Sequence, residues 1–198
     1  MPLLRRRAPN WEAMTDEELV GEAQRGQREA FGVLYDRYLP GVYGYCYRLL
    51  GEREAAEDAN SAVFTKALAA LPAFRARSFR SWLFAIAHNV VVDELRGRRA
   101  TLPLDAAGDM FDPDPSPEEL AITAVERQSL ESLLPCLSAD QQNVVALRIS
   151  GLTATEIGEA MARPRNAIDG IQHRAVMRLR ELMTERSGTV MTKGGGDG

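Results

Sequence analysis

The chain has 198 residues, of which 45% are hydrophobic and 26% are charged, as is usual for a globular protein of one medium or two small domains. Its formal net charge of −4 argues against a protein that coats nucleic acid without selectivity, because such binding requires many contacts between cations and phosphates. No apolar run is long enough to span a membrane, and no apolar stretch follows the N-terminal arginines. We therefore expect no membrane insertion, no signal peptide and a cytoplasmic location.

Helical periodicity, without sustained alternation of apolar and polar residues, predicts an all-α fold. After a flexible N-terminus of residues 1–14, a capping box formed by Thr15 and Glu18 begins a short helix that ends at Gly26. In the next helix, Pro40 and Gly41 should introduce a kink or divide the helix. The apolar residues of that helix at helical spacing are Phe31, Leu34, Tyr35, Tyr38, Val42, Cys46 and Leu49.

Two further helices complete a predicted first domain, residues 15–99. The third helix begins near Glu52 and stops at Pro72, and the fourth begins after Ser78 and leads into a cluster of arginines. Their expected core residues are Ala56, Ala59, Val63, Phe64, Ala67, Leu71, Phe79, Leu83, Ile86, Ala87, Val90 and Val91.

A proline- and aspartate-rich stretch, residues 100–115, predicts a flexible linker to a second domain, residues 116–184. Three pairs of residues with capping-box spacing predict three helices in this domain, and a fourth follows a turn around Arg163 and Pro164. The pairs are Ser116 with Glu119, Ser138 with Gln141, and Thr153 with Glu156. Residues 185–198 have neither caps nor apolar periodicity, so we expect a disordered tail.

Charge is segregated along the chain. Six arginines and two acids lie between positions 75 and 99, and six arginines and three acids lie between positions 163 and 186. The stretch between them, residues 100–126, has seven acids and no lysine or arginine. This basic, acidic, basic order is an organised distribution of charge that the net charge of −4 conceals.

The stretch from Thr153 to Met183 has the layout of a helix-turn-helix, in which the N-terminal part of the second helix enters the major groove. The residues expected there are Arg165, Asn166, Asp169, Gln172 and His173, with Arg174, Arg178 and Arg180 nearer to phosphates. Asp169 should repel phosphate unless it accepts a hydrogen bond from cytosine, and Gly170 weakens the helix. An ordinary helical hairpin with a solvated face explains the same pattern.

The sequence "FRARSFRSWLFAIAHNVVVDELRGRR" in the first domain interleaves aromatic residues with arginines. Aromatic rings stack on unpaired bases and arginines follow the phosphate backbone, a combination used to bind single-stranded nucleic acid. Trp82 and Phe84 are equally compatible with core packing, and the arginines with a solvated helix end.

No pattern indicates a catalytic, metal or cofactor site. Cys46 and Cys136 lack disulfide or zinc spacing, and both are interpreted as packed thiols in a reducing compartment. His88 and His173 have no carboxylate or cysteine at ligand spacing. We therefore expect no enzyme activity, no cofactor and no small-molecule substrate.

From about Thr15 to Met183, the chain resembles the group IV (extracytoplasmic function, ECF) sigma factors of bacterial RNA polymerase. The resemblance is carried by "DEELVGEAQRGQREAFGVLYDRYLPGVYGYCYRLLG", "AEDANSAVF", "LPCLSADQQNVVALRISGLTATEIGEAM" and "HRAVMRLREL". It is carried also by Trp82 and Leu83, followed by Ala87, Asn89, Asp93 and Arg96. The order and spacing of these motifs across both domains make the match specific.

The resemblance implies a sigma-2-like four-helix domain and a sigma-4-like helix-turn-helix domain joined by the acidic linker. It implies that the protein directs polymerase to promoters by recognising the −35 and −10 elements and opening the DNA. Its partners would be the β and β′ subunits of core polymerase and promoter DNA, and an anti-sigma factor is a further candidate. It explains how weak DNA contacts suffice, since polymerase supplies the effective concentration.

The resemblance assigns residues to three sites. Polymerase binding would involve Asp58, Asn60, Val63 and Phe64. Recognition of the −10 element would involve Arg75, Arg77, Arg80, Ser81, Trp82, Asn89, Asp93 and Arg96. Recognition of the −35 element would involve Arg165, Asn166, Asp169, Gln172, His173, Arg174 and Arg178.

The chain departs from the family pattern at two places. Ser61 and Ala62 replace the usual Gln-Glu of the polymerase-binding stretch. The recognition helix of the family usually has a serine cap and then a Lys-Ser-Arg sequence, where this chain has Pro164, Asp169, Gly170 and Ile171. The departures bear on the strength and sequence preference of the contacts. A stand-alone helix-turn-helix regulator and a helical adaptor without a DNA role are the competing interpretations.

Overall fold

The computed structural model describes residues 10–75, 78–101 and 132–192, with the side chains of 99–101 and 186–192 left out. Within these residues the chain forms seven α-helices and no strand, which confirms the predicted all-α fold. The first domain contains α1 (Asp16–Gln24), α2 (Arg28–Leu50), α3 (Arg53–Ala70) and α4 (Phe79–Thr101). The second contains α5 (Ala139–Ile149), α6 (Ala154–Ala160) and α7 (Arg165–Thr192).

The ends of α1 and α2 follow from local sequence. The predicted capping box is present, since the Thr15 backbone N–H donates to the Glu18 carboxylate at 2.8 Å and the Glu18 N–H donates to the Thr15 hydroxyl at 3.3 Å. Gly51 ends α2 with a φ of 74°, a conformation that glycine adopts without a Cβ clash. The expectation that Pro40 divides this helix is wrong, because α2 is continuous through it. Pro40 cannot donate a backbone hydrogen bond, but burial of its neighbours Tyr38 and Val42 in the core stabilises this turn of the helix.

The segment between α3 and α4 is anchored to α1. A 3-10 turn, Leu71–Ala73, follows α3 at the predicted proline stop. The Gln24 side-chain amide donates to the Leu71 carbonyl at 2.9 Å and to the Phe74 carbonyl at 3.1 Å. The Ser78 hydroxyl then accepts from the Ser81 backbone N–H at 3.2 Å, at the predicted start of α4. These hydrogen bonds fix the position of the chain just before the basic stretch that begins at Arg75.

The second domain contains the predicted helix-turn-helix. Capping boxes at Ser138 with Gln141 and at Thr153 with Glu156 start α5 and α6, as predicted. In the turn between α6 and α7, the Arg163 N–H donates to the Gly158 carbonyl at 2.8 Å, and Ala162 has a positive φ of 52°. A Cβ on Gly158 would lie 2.7 Å from the Arg163 carbonyl oxygen, so the turn closes only over a glycine.

The two domains pack directly on each other. Helix α4 lies against α6, and α2 lies against α5. Buried side chains of the second domain, among them Val144, Leu147 and Ile157, belong to the same hydrophobic core as Leu83 and Phe84 of the first. A smaller core joins α5 to α7 and comprises Leu133, Leu134, Leu137, Val145, Ala175 and Leu179. Cys46 is buried as expected, whereas the expectation that Cys136 is packed is wrong, because Cys136 is exposed beside this core.

Two predicted boundaries differ from the structure, and two other predictions lie outside the described residues. Helix α4 continues through Ala100 and Thr101, where the linker was expected to begin. The rest of the predicted linker and the helix expected at Ser116 lie outside the described residues. Helix α7 continues to Thr192 instead of ending near Met183, since each added residue of a formed helix gains a backbone hydrogen bond.

We predict that Gly158→Ala lowers the free energy of unfolding by about 1–3 kcal/mol, because the added methyl group forces the α6–α7 turn apart. Gly32→Ala is the matched control, since a Cβ at Gly32 meets nothing within 4 Å and alanine favours a helix. Urea denaturation of both variants checks this. Equal stability of Gly158→Ala and the unchanged protein would contradict the role of the turn.

Candidate nucleic-acid interface

Helix α7 presents a buried face and an exposed face. Ile168, Ile171, Ala175 and Leu179 are buried in the second domain. The residues predicted to read DNA are on the other side: Arg165, Asn166, Asp169, His173, Arg174 and Arg178 are exposed and Gln172 is half-buried. The N-terminal part of α7 is therefore available to a ligand, as a recognition helix requires.

Asp169 lies beside the first arginine of α7. Its carboxylate is 3.7 Å from the Arg165 guanidinium, and both side chains are more than half exposed, so the ion pair is weak. A Cβ on Gly170 would make an ordinary 3.5 Å contact with the Arg174 guanidinium, so packing does not require glycine there. Asp169 thus offsets part of the positive charge at the point where a phosphate or a base would approach.

A shallow groove of about 330 Å³ follows the exposed side of α7. The groove is lined by Asp169, Gln172 and His173, which are predicted to contact DNA, and by the exposed apolar residues Val176 and Met177. Sequence reasoning overlooked these two apolar residues, although they follow His173 at i+3 and i+4 on the same helix face. Apolar side chains in this position can contact thymine methyl groups.

The residues predicted to bind the −10 element differ in accessibility. Arg75 is exposed, and its guanidinium donates to the Phe74 carbonyl at 2.6 Å, whereas Arg77 lies outside the described residues. Arg80 donates to the Gly151 carbonyl of the second domain at 3.2 Å. Ser81 is buried, and its hydroxyl oxygen has no hydrogen-bond partner.

Trp82 belongs to an aromatic cluster at the start of α4. Its ring centroid lies 4.9 Å from that of Phe74 in an edge-on arrangement and 5.6 Å from that of Phe79. The indole is half-buried and packs against these two rings, as a core residue would.

Asn89, Asp93 and Arg96 are exposed along one face of α4 at helical spacing. Asp93 and Arg96 are only loosely paired, with 3.8 Å between carboxylate and guanidinium. The structure thus brings these three predicted residues together on a single accessible surface.

The predicted polymerase-binding residues lie on α3. Asp58 is exposed, whereas Val63 and Phe64 are buried, and the Phe64 ring packs 4.5 Å from the Tyr35 ring. Asn60 is only 6% exposed, and its carbonyl oxygen Oδ1 has no hydrogen-bond partner.

Asn60 lines a groove between α2 and α3 of about 370 Å³, which we call the α2–α3 groove. The other lining residues are Leu39, Pro40, Tyr43, Glu57 and Ser61. Leu39 and Tyr43 form an i, i+4 apolar pair outside the core stripe of α2, a signal that sequence reasoning passed over. An apolar groove with a buried, unpartnered acceptor is suited to a protein partner that brings a hydrogen-bond donor.

Comparison with known proteins places this geometry in a family. Residues 34–101 match the family description "Sigma-70 region 2", and residues 133–181 match "Sigma-70, region 4". The ECF RNA polymerase sigma factor BldN of Streptomyces coelicolor is 35% identical over 187 residues, which cover 91% of this chain and 70% of BldN. This chain belongs to the ECF sigma factors of RNA polymerase.

Other relatives agree with the sigma-factor assignment. The ECF sigma factor SigD of Mycobacterium tuberculosis is 32% identical over 174 residues, covering 83% of this chain and 82% of SigD. The structure of CnrH in complex with the cytosolic domain of CnrY is similar with a TM-score of 0.67 and 25% identity, covering 86% of this chain and 97% of CnrH.

As an ECF sigma factor, the protein directs RNA polymerase to promoters and is not a stand-alone regulator. Its family consists of transcription factors that are not known as enzymes. Among the described residues, no helix is both long and apolar enough to cross a membrane.

Proposed function

We propose that this sigma factor divides promoter recognition between two helices. The N-terminal half of α7 contacts the −35 element, and α4 with the loop before it captures and opens the −10 element. The α2–α3 groove and Asp58 contact core polymerase. The observation that carries the proposal is that α4 and α7 each present a row of exposed polar residues on a helix whose other face is buried.

The −35 contact combines base reading with phosphate binding. Arg165 and Asn166 are exposed in the first turn of α7, where side chains reach base edges. Arg174 and Arg178 lie about two and three turns further along, where phosphate contacts fix the position of a recognition helix. The nearby carboxylate of Asp169 weakens this site, and attachment to polymerase compensates by raising the local concentration of the helix at the promoter.

The −10 contact requires a surface that captures bases after they leave the duplex. A flipped base is held by stacking and by hydrogen bonds to its edge. Trp82 is half-buried, so part of its indole is accessible for stacking, and Asn89, Asp93 and Arg96 supply hydrogen-bonding groups further along α4. Arg75, Arg77 and Arg80 supply positive charge in the preceding segment.

A protein regulator, the anti-sigma factor considered from the sequence, is a further proposed partner. The similar protein CnrH forms a complex with the cytosolic domain of CnrY. We further infer that the protein works in the cytoplasm, where polymerase and chromosome are found, and that it has no catalytic activity of its own.

We predict that replacing Asp58 by alanine together with Asn60 by leucine weakens binding to core polymerase about tenfold or more, as loss of central interface contacts does. Folding should be preserved, because leucine removes a buried acceptor that has no partner in the free protein. Asp36→Ala, an exposed acid on α2, is the control. Titration of fluorescent sigma factor with core polymerase gives the affinities, and circular dichroism checks the fold. Unchanged binding would remove the α2–α3 groove from the docking surface.

We predict that alanine at both Arg77 and Arg80 reduces promoter opening, because the positive charge that guides the separated strand is lost. The measurement is permanganate reactivity of thymines near the −10 element. Arg80→Ala also removes the hydrogen bond from Arg80 to the Gly151 carbonyl of the free protein. Preassembled holoenzyme is therefore used, so that only promoter opening is compared. Arg28→Ala, an exposed arginine at the start of α2, should leave the reactivity unchanged. Normal opening in the double variant argues against this surface.

We predict that Asp169→Lys raises holoenzyme affinity and broadens promoter choice, because it removes a repulsive charge and releases Arg165 from its ion pair. Arg174→Ala should weaken all promoters alike and reduce the slope of log affinity against log salt by about one. Filter binding across a promoter series and several salt concentrations measures both. Weaker binding of Asp169→Lys at every promoter would instead identify Asp169 as a reader of cytosine.

A further inference from the structure

The Gln24 side chain connects α1 to the turn that precedes the proposed −10 surface. Gln24 is the last residue of α1, and its amide nitrogen donates to the carbonyl oxygens of Leu71 at 2.9 Å and Phe74 at 3.1 Å. The two acceptors lie in the 3-10 turn after α3 and at its C-cap, 47 and 50 residues further along the chain. Both hydrogens of one amide group are thus used on backbone that is distant in sequence.

The backbone of Phe74 is held at both of its polar groups. Its N–H donates to the Leu71 carbonyl at 3.0 Å, and its own carbonyl accepts from Gln24. The Arg75 guanidinium donates to the same Phe74 carbonyl at 2.6 Å and to the Pro72 carbonyl at 3.1 Å. A carbonyl oxygen has two lone pairs, so it can accept from Gln24 and Arg75 together. Of these two donors, Arg75 belongs to the proposed DNA surface and Gln24 does not.

The Phe74 ring connects the turn to α4. Its centroid lies 4.9 Å from that of the Trp82 ring and 6.0 Å from that of the Phe79 ring, both in an edge-on arrangement. Such pairs prefer particular distances and angles, so a shift of the Phe74 backbone changes where the Trp82 indole packs. A contiguous path of contacts therefore runs from Gln24 through Phe74 to Trp82, a residue of the proposed −10 surface.

Apolar packing between α1 and this segment is incomplete. An open cleft of about 280 Å³ lies between them, lined by Glu17 and Val20 of α1 and by Phe74 and Phe79. Gln24 also lines the cleft and bridges it with its two hydrogen bonds. Because hydrogen bonds require a narrow range of distances and angles, these two fix the position of the turn relative to α1.

DNA binding changes which donors the turn retains. Arg75 is exposed, and a phosphate attracts its guanidinium because hydrogen bonds between two charged groups are stronger than those to a neutral carbonyl. The Phe74 carbonyl then keeps Gln24 as a donor, so the turn stays formed while Arg75 moves. Without Gln24, the departure of Arg75 loosens the turn, and separated bases meet a surface that must first be ordered at a cost in conformational entropy.

We propose that Gln24 is a positioning residue for capture of the −10 element: it holds the Phe74–Trp82 pair in place while Arg75 exchanges its carbonyl partners for phosphate. The proposal rests on the proposed role of α4 and the segment before it at the −10 element. Gln24 touches no base in this role, since it acts through Phe74. Its loss should slow promoter opening and leave the affinity for core polymerase unchanged, whereas a general stabilising role would lower both together.

The test compares preassembled holoenzymes that contain Gln24→Met, which keeps the length of the side chain and removes its donors. Permanganate reactivity of thymines near the −10 element should show opening about tenfold slower, as expected for the loss of two hydrogen bonds. Titration of fluorescent sigma factor should give an unchanged affinity for core polymerase. Gln27→Met is the matched control, because Gln27 is an exposed glutamine at the start of α2 without a side-chain cap hydrogen bond. It should leave both quantities unchanged.

A second measurement uses the full chain without polymerase or DNA. Amide hydrogen exchange at Phe74, whose N–H is bonded within the turn, should be about tenfold faster in Gln24→Met than in the unchanged protein. Amides in the middle of α4 should exchange at the unchanged rate. Gln24→Glu also removes the amide donor, and its carboxylate repels the two carbonyl oxygens. It should therefore give the same change, which keeps the test decisive if Gln24→Met fails to fold.

A double-mutant cycle separates positioning from general stability. Trp82→Ala should itself slow opening, and adding Gln24→Met should slow it by less than about twofold more, because the indole that Gln24 positions is already absent. Independent effects would instead multiply, and a further slowing of about tenfold would overturn the inference. Normal opening by Gln24→Met, or an equal loss of opening and of core binding, would overturn it as well.

The same series distinguishes this inference from the proposed function. If Trp82→Ala and Arg75→Ala both open promoters at the normal rate, the proposed −10 surface is wrong and the role of Gln24 fails with it. If these two variants slow opening while Gln24→Met and Gln24→Glu do not, the −10 surface stands and only the role of Gln24 is overturned.

Discussion

The architecture depends on the packing of α4, which serves both domains at once. Leu83, Phe84 and Val91 bury one face of α4 in the first domain, and the helix also packs on α6 of the second. Asn89 and Asp93 are left exposed to water. A helix that packs on two sides is held rigidly, and the proposed capture of separated bases by α4 requires such rigid placement.

Electrostatics are arranged locally, and the overall charge of −4 conceals this. Basic side chains are concentrated on α4 and α7, and the ion pair between Arg165 and Asp169 is both long, at 3.7 Å, and exposed. Such a pair is worth little in water and is exchanged readily for phosphate. The proposed −35 surface therefore suits a protein that reaches DNA as part of a larger complex, where tethering replaces intrinsic affinity.

Local signals in the sequence predicted much of the fold because helix caps depend on residues three positions apart. Thr15, Ser138 and Thr153 each begin a helix with the expected reciprocal hydrogen bonds. Whether Pro40 divides α2 could not be predicted, because the effect of a proline inside a helix is decided by tertiary packing. The burial of Asn60 and Ser81 could not be predicted either, because the sequence around a polar residue on a helix does not indicate which tertiary neighbour will cover it. The contact between the domains belongs to the same category, because His88 and Asn143 are 55 residues apart.

Two buried side-chain oxygens of the described residues, those of Asn60 and Ser81, have no hydrogen-bond partner. Asn60 Oδ1 lies in the α2–α3 groove, and Ser81 Oγ lies at the start of α4, both within surfaces assigned to partners. Buried polar groups in folded proteins are almost always satisfied, so each exception raises the free energy of the isolated chain. A partner that supplies a donor to Asn60 recovers that free energy, which favours assembly with such a partner.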